Sequence, residues 1–207
     1  MSIGPTSVNK QANAHEPSTV LMMDAEPSRS SALKRALLEN GYQIVNHLAC
    51  ATQLLEQVAL LTPDVVVIST DTADDETLAR LQQLSIENPH PIVMFAERDA
   101  PNVVRNTIKA GVSAYIVDDL QPQRLTSIIS IAYARFNEYQ ALRKELEQTK
   151  TQLENRKLLD RAKGILMQHK GLSESDAYNT LRKSAMNKGQ TMANVAEKII
   201  DAYELLA

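Results

Sequence analysis

The sequence predicts an α/β fold: a doubly wound, parallel, five-stranded domain, followed by a long helix and a small three-helix end. Three observations predict it. Five short apolar blocks rich in β-branched residues alternate with helix-like stretches through the first two thirds of the chain. Pro and Gly are both absent from Ile128 until Gly164. The remainder is divided by Gly171 and Gly189, each followed two residues later by a hydroxyl residue able to cap a helix, Ser173 and Thr191.

Taken in order, residues 1–17 are polar, lack the apolar core of an export signal, and read as a disordered tail. Strands are expected at Thr19–Met23, Gln43–Leu48, Val65–Ser69, Ile92–Phe95 and Ala114–Val117. Such blocks suit strands covered on both faces. Between them, Arg29–Glu39 places Leu33, Leu37 and Leu38 on one helical face and ends at Gly41. Further helices are expected at Ala51–Leu61, at Pro101–Ala110 closed by Gly111, and from Pro122 to Ala134.

Beyond that point Tyr139, Leu142, Leu146, Thr149 and Leu153 alternate at spacings of three and four. This makes the narrow seam of a two-stranded coiled coil, flanked by Lys144, Glu145, Glu147 and Lys150. A helix packed on its own domain is the other reading of the same pattern. In the C-terminal region Leu159, Ala162, Ile165 and Leu166 form one apolar face, and Ala177, Leu181 and Ala185 a second. The third face is Met192, Val195, Ile199, Tyr203 and Leu206. Asp176 stands three residues after Ser173 in a capping-box-like start. Met167, Tyr178, Met186 and Met192 are expected in the core.

Composition limits the function. The 207 residues carry a net charge of −3, with 43% hydrophobic residues and no Trp. Stacking platforms of the kind used by single-strand binders are therefore not indicated. The charge is unevenly spread: from Asn155 onward there are nine Lys or Arg against six Asp or Glu, leaving 13 against 19 for the rest. A basic end on an acidic body suits an anionic partner. The single Cys50 excludes an internal disulfide, and no His, Cys or acidic cluster has metal-ligand spacing, so no metal or other cofactor is expected. There is no nucleophile elbow, P-loop or triad pattern, which points away from an enzyme. No apolar run reaches membrane-spanning length, and a cytoplasmic location is expected.

Two resemblances sharpen this reading. The element order of residues 19–134, with Leu21-Met-Met-Asp-Ala-Glu-Pro27, Pro63-Asp-Val-Val-Val-Ile-Ser69 and Pro91-Ile-Val-Met-Phe-Ala96, resembles the receiver domain of bacterial response regulators. That resemblance implies a phosphorylation pocket of acidic groups for Mg²⁺, an Asp acceptor, a hydroxyl and a Lys. At the matching positions this chain has Asp24, Glu26, Ser69, Ala96 and Asp118. Ser69 replaces the acceptor, Ala96 the hydroxyl and Asp118 the Lys, while Ala25 interrupts the acidic pair. A phosphoryl group would meet a carboxylate where an ammonium is needed. The pocket is degenerate and the domain a pseudo-receiver; Asp71, Asp74 and Asp75 lie nearby, and one of them as a displaced acceptor is the alternative. The domain then serves either as a docking surface for another protein or as a passive scaffold.

The second resemblance lies in Arg161-Ala-Lys-Gly-Ile-Leu-Met167, Gly171-Leu-Ser-Glu-Ser-Asp-Ala-Tyr178, Leu181-Arg-Lys-Ser-Ala-Met186 and Val195-Ala-Glu-Lys-Ile-Ile200. These four blocks resemble the ANTAR domain of transcription antitermination regulators. Together the two halves resemble the AmiR/NasT group. The tracts Gly111-Val-Ser-Ala-Tyr-Ile-Val117 and Pro91-Ile-Val-Met-Phe95 are more similar to the NasT, nitrate/nitrite-assimilation, members. The resemblance implies a tail at 1–17, a pseudo-receiver at 18–134, a coiled-coil linker at 135–158 and an ANTAR domain at 159–207.

It also implies function: an RNA-binding antiterminator that holds a leader RNA of tandem stem-loops and so prevents a terminator hairpin. Its implied partners are a ligand-sensing regulatory protein (a NasS-like nitrate/nitrite sensor, or an amide sensor in an AmiR-like case) and a second copy of the chain. Arg161, Lys163, Arg182, Lys183 and Lys188 are the candidate phosphate contacts. Gln168 and Thr191 are candidates for reading loop bases, with Ala162 and Gly164 leaving a thin helix surface. For each cation the plain alternative is a solvated helix face. His169 is read as a solvated last-turn residue. The competing functions are a DNA-binding helix-turn-helix output and a pure protein-interaction module. The first is disfavoured by Glu197, Asp201 and Glu204 on the helix that would enter the groove, against Lys198 alone.

Overall fold

The structure is a computed structural model, and it describes residues 17–24, 27–71, 74–96, 101–117 and 121–205. Residues 1–16 of the expected tail, Glu26, Asp118 and Leu206 lie outside the described residues.

The chain divides into two compact units, Met1–Tyr139 and Gln140–Ala207. The first contains strands β1 (Thr19–Asp24), β2 (Gln43–Leu48), β3 (Val65–Thr70), β4 (Ile92–Ala96) and β5 (Ala114–Val117). All pair in parallel, in the order β2-β1-β3-β4-β5. The expected strand positions hold, each within a residue at its C-terminal end. Helices α1 (Pro27–Glu39), α2 (Leu54–Leu61), α3 (Asp75–Glu87) and α4 (Pro101–Lys109) alternate with them, and α5 begins at Pro122.

The sheet is covered on both sides, as its sequence pattern requires. Leu21, Ile68, Ile92 and Met94 face Leu54, Val58, Leu81 and Leu84 of α2 and α3. Val20, Met22, Val67 and Phe95 face Leu33, Leu37, Leu125 and Ile129 of α1 and α5. Period-two alternation along each strand sends neighbouring residues to opposite layers.

Three details depart from expectation. The stretch Ala51–Leu61 opens with a 3₁₀ turn, Ala51–Gln53, before α2 begins. Leu38 is exposed, because Leu33, Ala36 and Leu37 already complete the buried face of α1. Helix α3 occupies a stretch where the sequence predicts no named element; Asp74 caps it, its carboxylate accepting from the Thr77 amide, and Leu81 and Leu84 anchor it. Gly111 ends the α4 corner at φ +101. A Cβ there would stand 2.5 Å from the Ser85 Cβ, so only glycine fits.

Helix α5 runs without a break from Pro122 to Lys170, 49 residues, and passes from the first unit into the second. Its central part exposes Tyr139, Leu142, Leu146 and Leu153 at 54–64%. Thr149 is also exposed and returns its hydroxyl hydrogen bond to the Glu145 carbonyl. The row singled out in the sequence as a seam is therefore exposed along the helix.

The second unit ends in α6 (Glu174–Lys188) and α7 (Met192–Glu204). Its core is small: Ala162 and Leu166 from α5, Ala177, Leu181 and Ala185 from α6, and Val195, Ala196 and Ile200 from α7. The α5 and α6 faces are those the sequence predicts. The α7 face is rotated toward Ala196 and Ile200, leaving Met192 and Ile199 at its edge and Tyr203 half-buried. Small Ala196 lets α7 approach its neighbours closely, and that approach carries Ile200 inward in place of Tyr203. The capping signals hold: Ser173 accepts from the Asp176 amide and Thr191 from the Asn194 amide, while Gly189 adopts φ +59. Among the described residues no helix is long and apolar enough to cross a membrane, and no group of His, Cys, Asp and Glu is arranged to hold a metal.

Candidate nucleic-acid interface and degenerate receiver pocket

In open α/β sheets ligands gather at the carboxyl ends of the strands where strand order reverses. Here that point lies between β1 and β3, where Asp24 pairs in register with Ser69; on the other side of β3, Thr70 pairs with Ala96 of β4. Asp24, Ser69 and Ala96 are all buried. A cavity of about 170 Å³ opens there, lined by Asp24, Cys50, Thr52, Ser69, Asp74 and Glu76 among others. Of the five residues singled out for this pocket, Asp24 and Ser69 line the cavity, Ala96 ends the neighbouring strand β4, and none of the described lining residues is cationic. Asp74, a candidate displaced acceptor, spends its carboxylate on the α3 cap; the Thr77 hydrogen bond holds it below the usual aspartate range.

The candidate RNA contacts of the second unit fall into two groups. Lys163 is 17% exposed and lies 2.8 Å from both Asp160 on its own helix and Glu174 in the first turn of α6. These carboxylates hold its ammonium above the ordinary lysine range, Asp160 contributing most. Arg161 pairs with Glu204 on α7. Both side chains therefore staple α5 to the other two helices. Thr191 likewise uses its hydroxyl on the α7 cap. In the other group Arg182, Lys183, Lys188 and Gln168 are exposed. Among the described residues, no carboxylate lies within ion-pair distance of Arg182, Lys183 or Lys188.

Three residues expected in the core are on the surface instead. Met186 is 72% exposed, and Tyr178 and Met167 are also exposed. The reason is angular. Tyr178, Arg182 and Met186 follow Ala177, Leu181 and Ala185 by one residue, about 100° around the helix. The small core is already filled by the alanines and Leu181. The result is an outward row of aromatic ring, guanidinium and thioether along α6.

A further feature is absent from the sequence reading. A groove of about 690 Å³ runs along the second unit, with Leu166, Val195 and Ile199 among its apolar lining. Lys170, Lys188 and Lys198 also line it, together with His169 and Tyr203, whose rings lie 4.7 Å apart. The lining contains no Asp or Glu. Lys170 and Lys198 are distant in sequence and belong to different helices, so no local motif joins them. The detectable signal was the i, i+4 row Thr180, Ser184 and Lys188 on α6, polar residues beside the buried face.

Comparison with known proteins agrees with both halves. The response regulator receiver domain model matches residues 20–130, and the ANTAR domain model matches 147–200. The chain is 30% identical over 198 residues to the transcriptional regulatory protein PdtaR of Mycobacterium tuberculosis, covering 96% of this chain and 95% of that one. It is 36% identical over 78 residues to the nitrate regulatory protein of Klebsiella oxytoca, covering 38% of this chain and 20% of that protein. Full-length likeness therefore does not single out the nitrate-responsive members. A solved CheY-like receiver domain from Methanospirillum hungatei shares the fold of the first unit, with TM-score 0.52 and 18% identity over 59% of this chain and 98% of that one. With a receiver match over more than half its length, an ANTAR match beyond it and a relative aligned through both, the chain belongs to the response-regulator family in which a receiver domain is followed by an ANTAR domain.

Proposed function

We propose that this protein is a cytoplasmic transcription antiterminator whose ANTAR unit binds leader RNA bearing tandem stem-loops. By holding that structure it keeps the terminator hairpin from forming. The observation that carries the reading is the set Arg182, Lys183 and Lys188: exposed, without ion-pair partners among the described residues, and within the ANTAR match. Cations left solvated on a folded unit suit a polyanion. In this reading Arg182, Lys183, Lys188 and Gln168 meet the RNA. Arg161, Lys163 and Thr191 fix the helices that present them.

The first unit acts as a docking surface and takes no phosphate. Ser69 in place of the acceptor, Ala96 in place of the hydroxyl and the lack of a cation in the described pocket support this. The exposed seam Tyr139, Leu142, Leu146, Thr149 and Leu153 joins two copies, matching a two-hairpin ligand. The partner at the first unit is a ligand-sensing protein that withholds the antiterminator until its ligand binds. Nitrate or nitrite is the narrower assignment, supported by the local likeness to the Klebsiella regulator. An amide sensor is the alternative. The test is in vitro transcription through a leader with a terminator. Purified protein should raise read-through, and acetyl phosphate with Mg²⁺ should not change it. Read-through that depends on acetyl phosphate would overturn the docking reading, and no read-through under either condition would overturn antitermination.

A further inference from the structure

We propose that the groove between the helices of the second unit is the seat of an unpaired RNA loop nucleotide. The base would enter against Tyr203, and the flanking phosphates would lie along Lys170, Lys188 and Lys198. This rests on the RNA reading above and adds the subsite, whose Lys170, Lys188 and Tyr203 lie outside the four sequence blocks.

Chemistry selects the occupant. At about 690 Å³ the groove falls within the range of small-ligand sites, about 300–1,000 Å³. Its lining combines an apolar interior, Leu166, Val195 and Ile199, with an aromatic ring and three ammonium groups. No carboxylate lines it, although the unit carries Glu174, Asp176, Glu197, Asp201 and Glu204. An apolar peptide helix would need no ring of cations, and an acidic peptide would gain little from the apolar lining. An unstacked nucleotide has both parts: a flat apolar face and an anionic backbone. Stacked duplex cannot offer the base, so the groove selects a loop over a stem. Lys198 is exposed, and its ammonium donates a 2.9 Å hydrogen bond to Gln190 Oε1 that limits its reach. His169, tilted against Tyr203, fixes the ring that the base would meet. The row Tyr178–Arg182–Met186 is on a different side of α6 from Thr180, Ser184 and Lys188, so the two surfaces can be tested apart.

The experiment uses the full chain and two fluorescein-labelled probes: an RNA hairpin with an unpaired loop, taken from a leader bound by the wild type, and the blunt duplex of its stem. Ala202→Trp fills the groove from α7 without altering charge, and Lys198→Glu reverses one rim charge; both positions are exposed. Each variant is expected to weaken hairpin binding about tenfold or more, the size of a lost base-stacking contact. Duplex binding should shift less than threefold in Ala202→Trp. Unchanged thermal unfolding would confirm that each variant folds; if one does not fold, the other decides. Unaltered hairpin binding in folded variants, with loss only in Arg182→Ala, overturns the groove proposal and leaves the RNA reading standing. A change of oligomeric state in Ala202→Trp, with hairpin affinity per dimer unchanged, assigns the groove to a second chain and also overturns it. Failure of the wild type to bind any leader hairpin overturns the RNA reading itself.

Discussion

Replacing Arg182, Lys183 and Lys188 together by Ala should change how RNA affinity depends on salt, by an amount that follows from their exposure. Each cation that neutralises a phosphate adds about 0.7–0.9 to the slope of log affinity against log salt. Three such contacts add about 2–3. Between 50 and 200 mM salt the wild type should therefore lose about 20- to 40-fold more affinity than the triple variant. Lys163→Met provides the contrast. Its ammonium is already held by Asp160 and Glu174, so no phosphate contact is removed and the slope should move by well under one. The assay is fluorescence anisotropy of a labelled leader hairpin at five salt concentrations. An unchanged slope in the triple variant, or a drop of about one in Lys163→Met, would refute the division into exposed and stapled cations.

Four other perturbations test the rest of the structure. Gly111→Ala forces a side chain into φ +101 and a 2.5 Å approach to Ser85. Backbone strain and overpacking should together cost about 2–5 kcal/mol in urea unfolding of the first unit, part of it recovered by adding Ser85→Gly. Leu181→Ala removes the largest α6 contribution to a small core, and should cost about 2–5 kcal/mol and melt the second unit first. Leu142→Glu with Leu146→Glu puts carboxylates at two exposed seam positions, and should leave a folded monomer by light scattering if the seam pairs two copies. The Lys163 staple gives a pH signature. The lowered Asp160 contributes stability that is complete above the ordinary aspartate range and fades as acid protonates it. The raised Lys163 contributes stability that is complete below the ordinary lysine range and is lost as pH rises through its folded value. Lys163→Met should therefore flatten both the acid and the alkaline limb of the second unit's unfolding profile, and unaltered limbs would remove the staple.

Much of the fold is legible in the sequence because its signals are local. The five strands stand out as β-branched blocks, and Ser173, Thr191 and Gly189 mark helix ends by chemistry that acts within four residues. Helix α3 is harder to see: Leu78, Leu81 and Leu84 recur only at spacings of three, no Gly closes it, and the Asp74 cap lies in an acidic stretch that reads equally well as a loop. The α7 face and the exposure of Tyr178 and Met186 depend on how closely three helices approach, which the two small residues Ala177 and Ala196 set only in three dimensions. The candidate interface divides the same way. The blocks resembling ANTAR locate the basic surface, yet they do not separate Lys163 from Arg182, because the partners of Lys163 come from two helices. The groove, whose lysines are 10 to 28 residues apart in sequence, leaves only the i, i+4 row Thr180, Ser184 and Lys188 as a linear trace.

The central claim is that the exposed cations of the ANTAR unit hold folded leader RNA. Direct binding of the purified full chain to a tandem stem-loop leader, measured against the same sequence as duplex DNA at physiological salt, tests it most plainly. The account predicts saturable RNA binding at least a hundredfold tighter than DNA, and its loss in the Arg182, Lys183, Lys188 triple variant. Equal affinity for the two nucleic acids, or RNA binding that survives removal of all three cations, would contradict it.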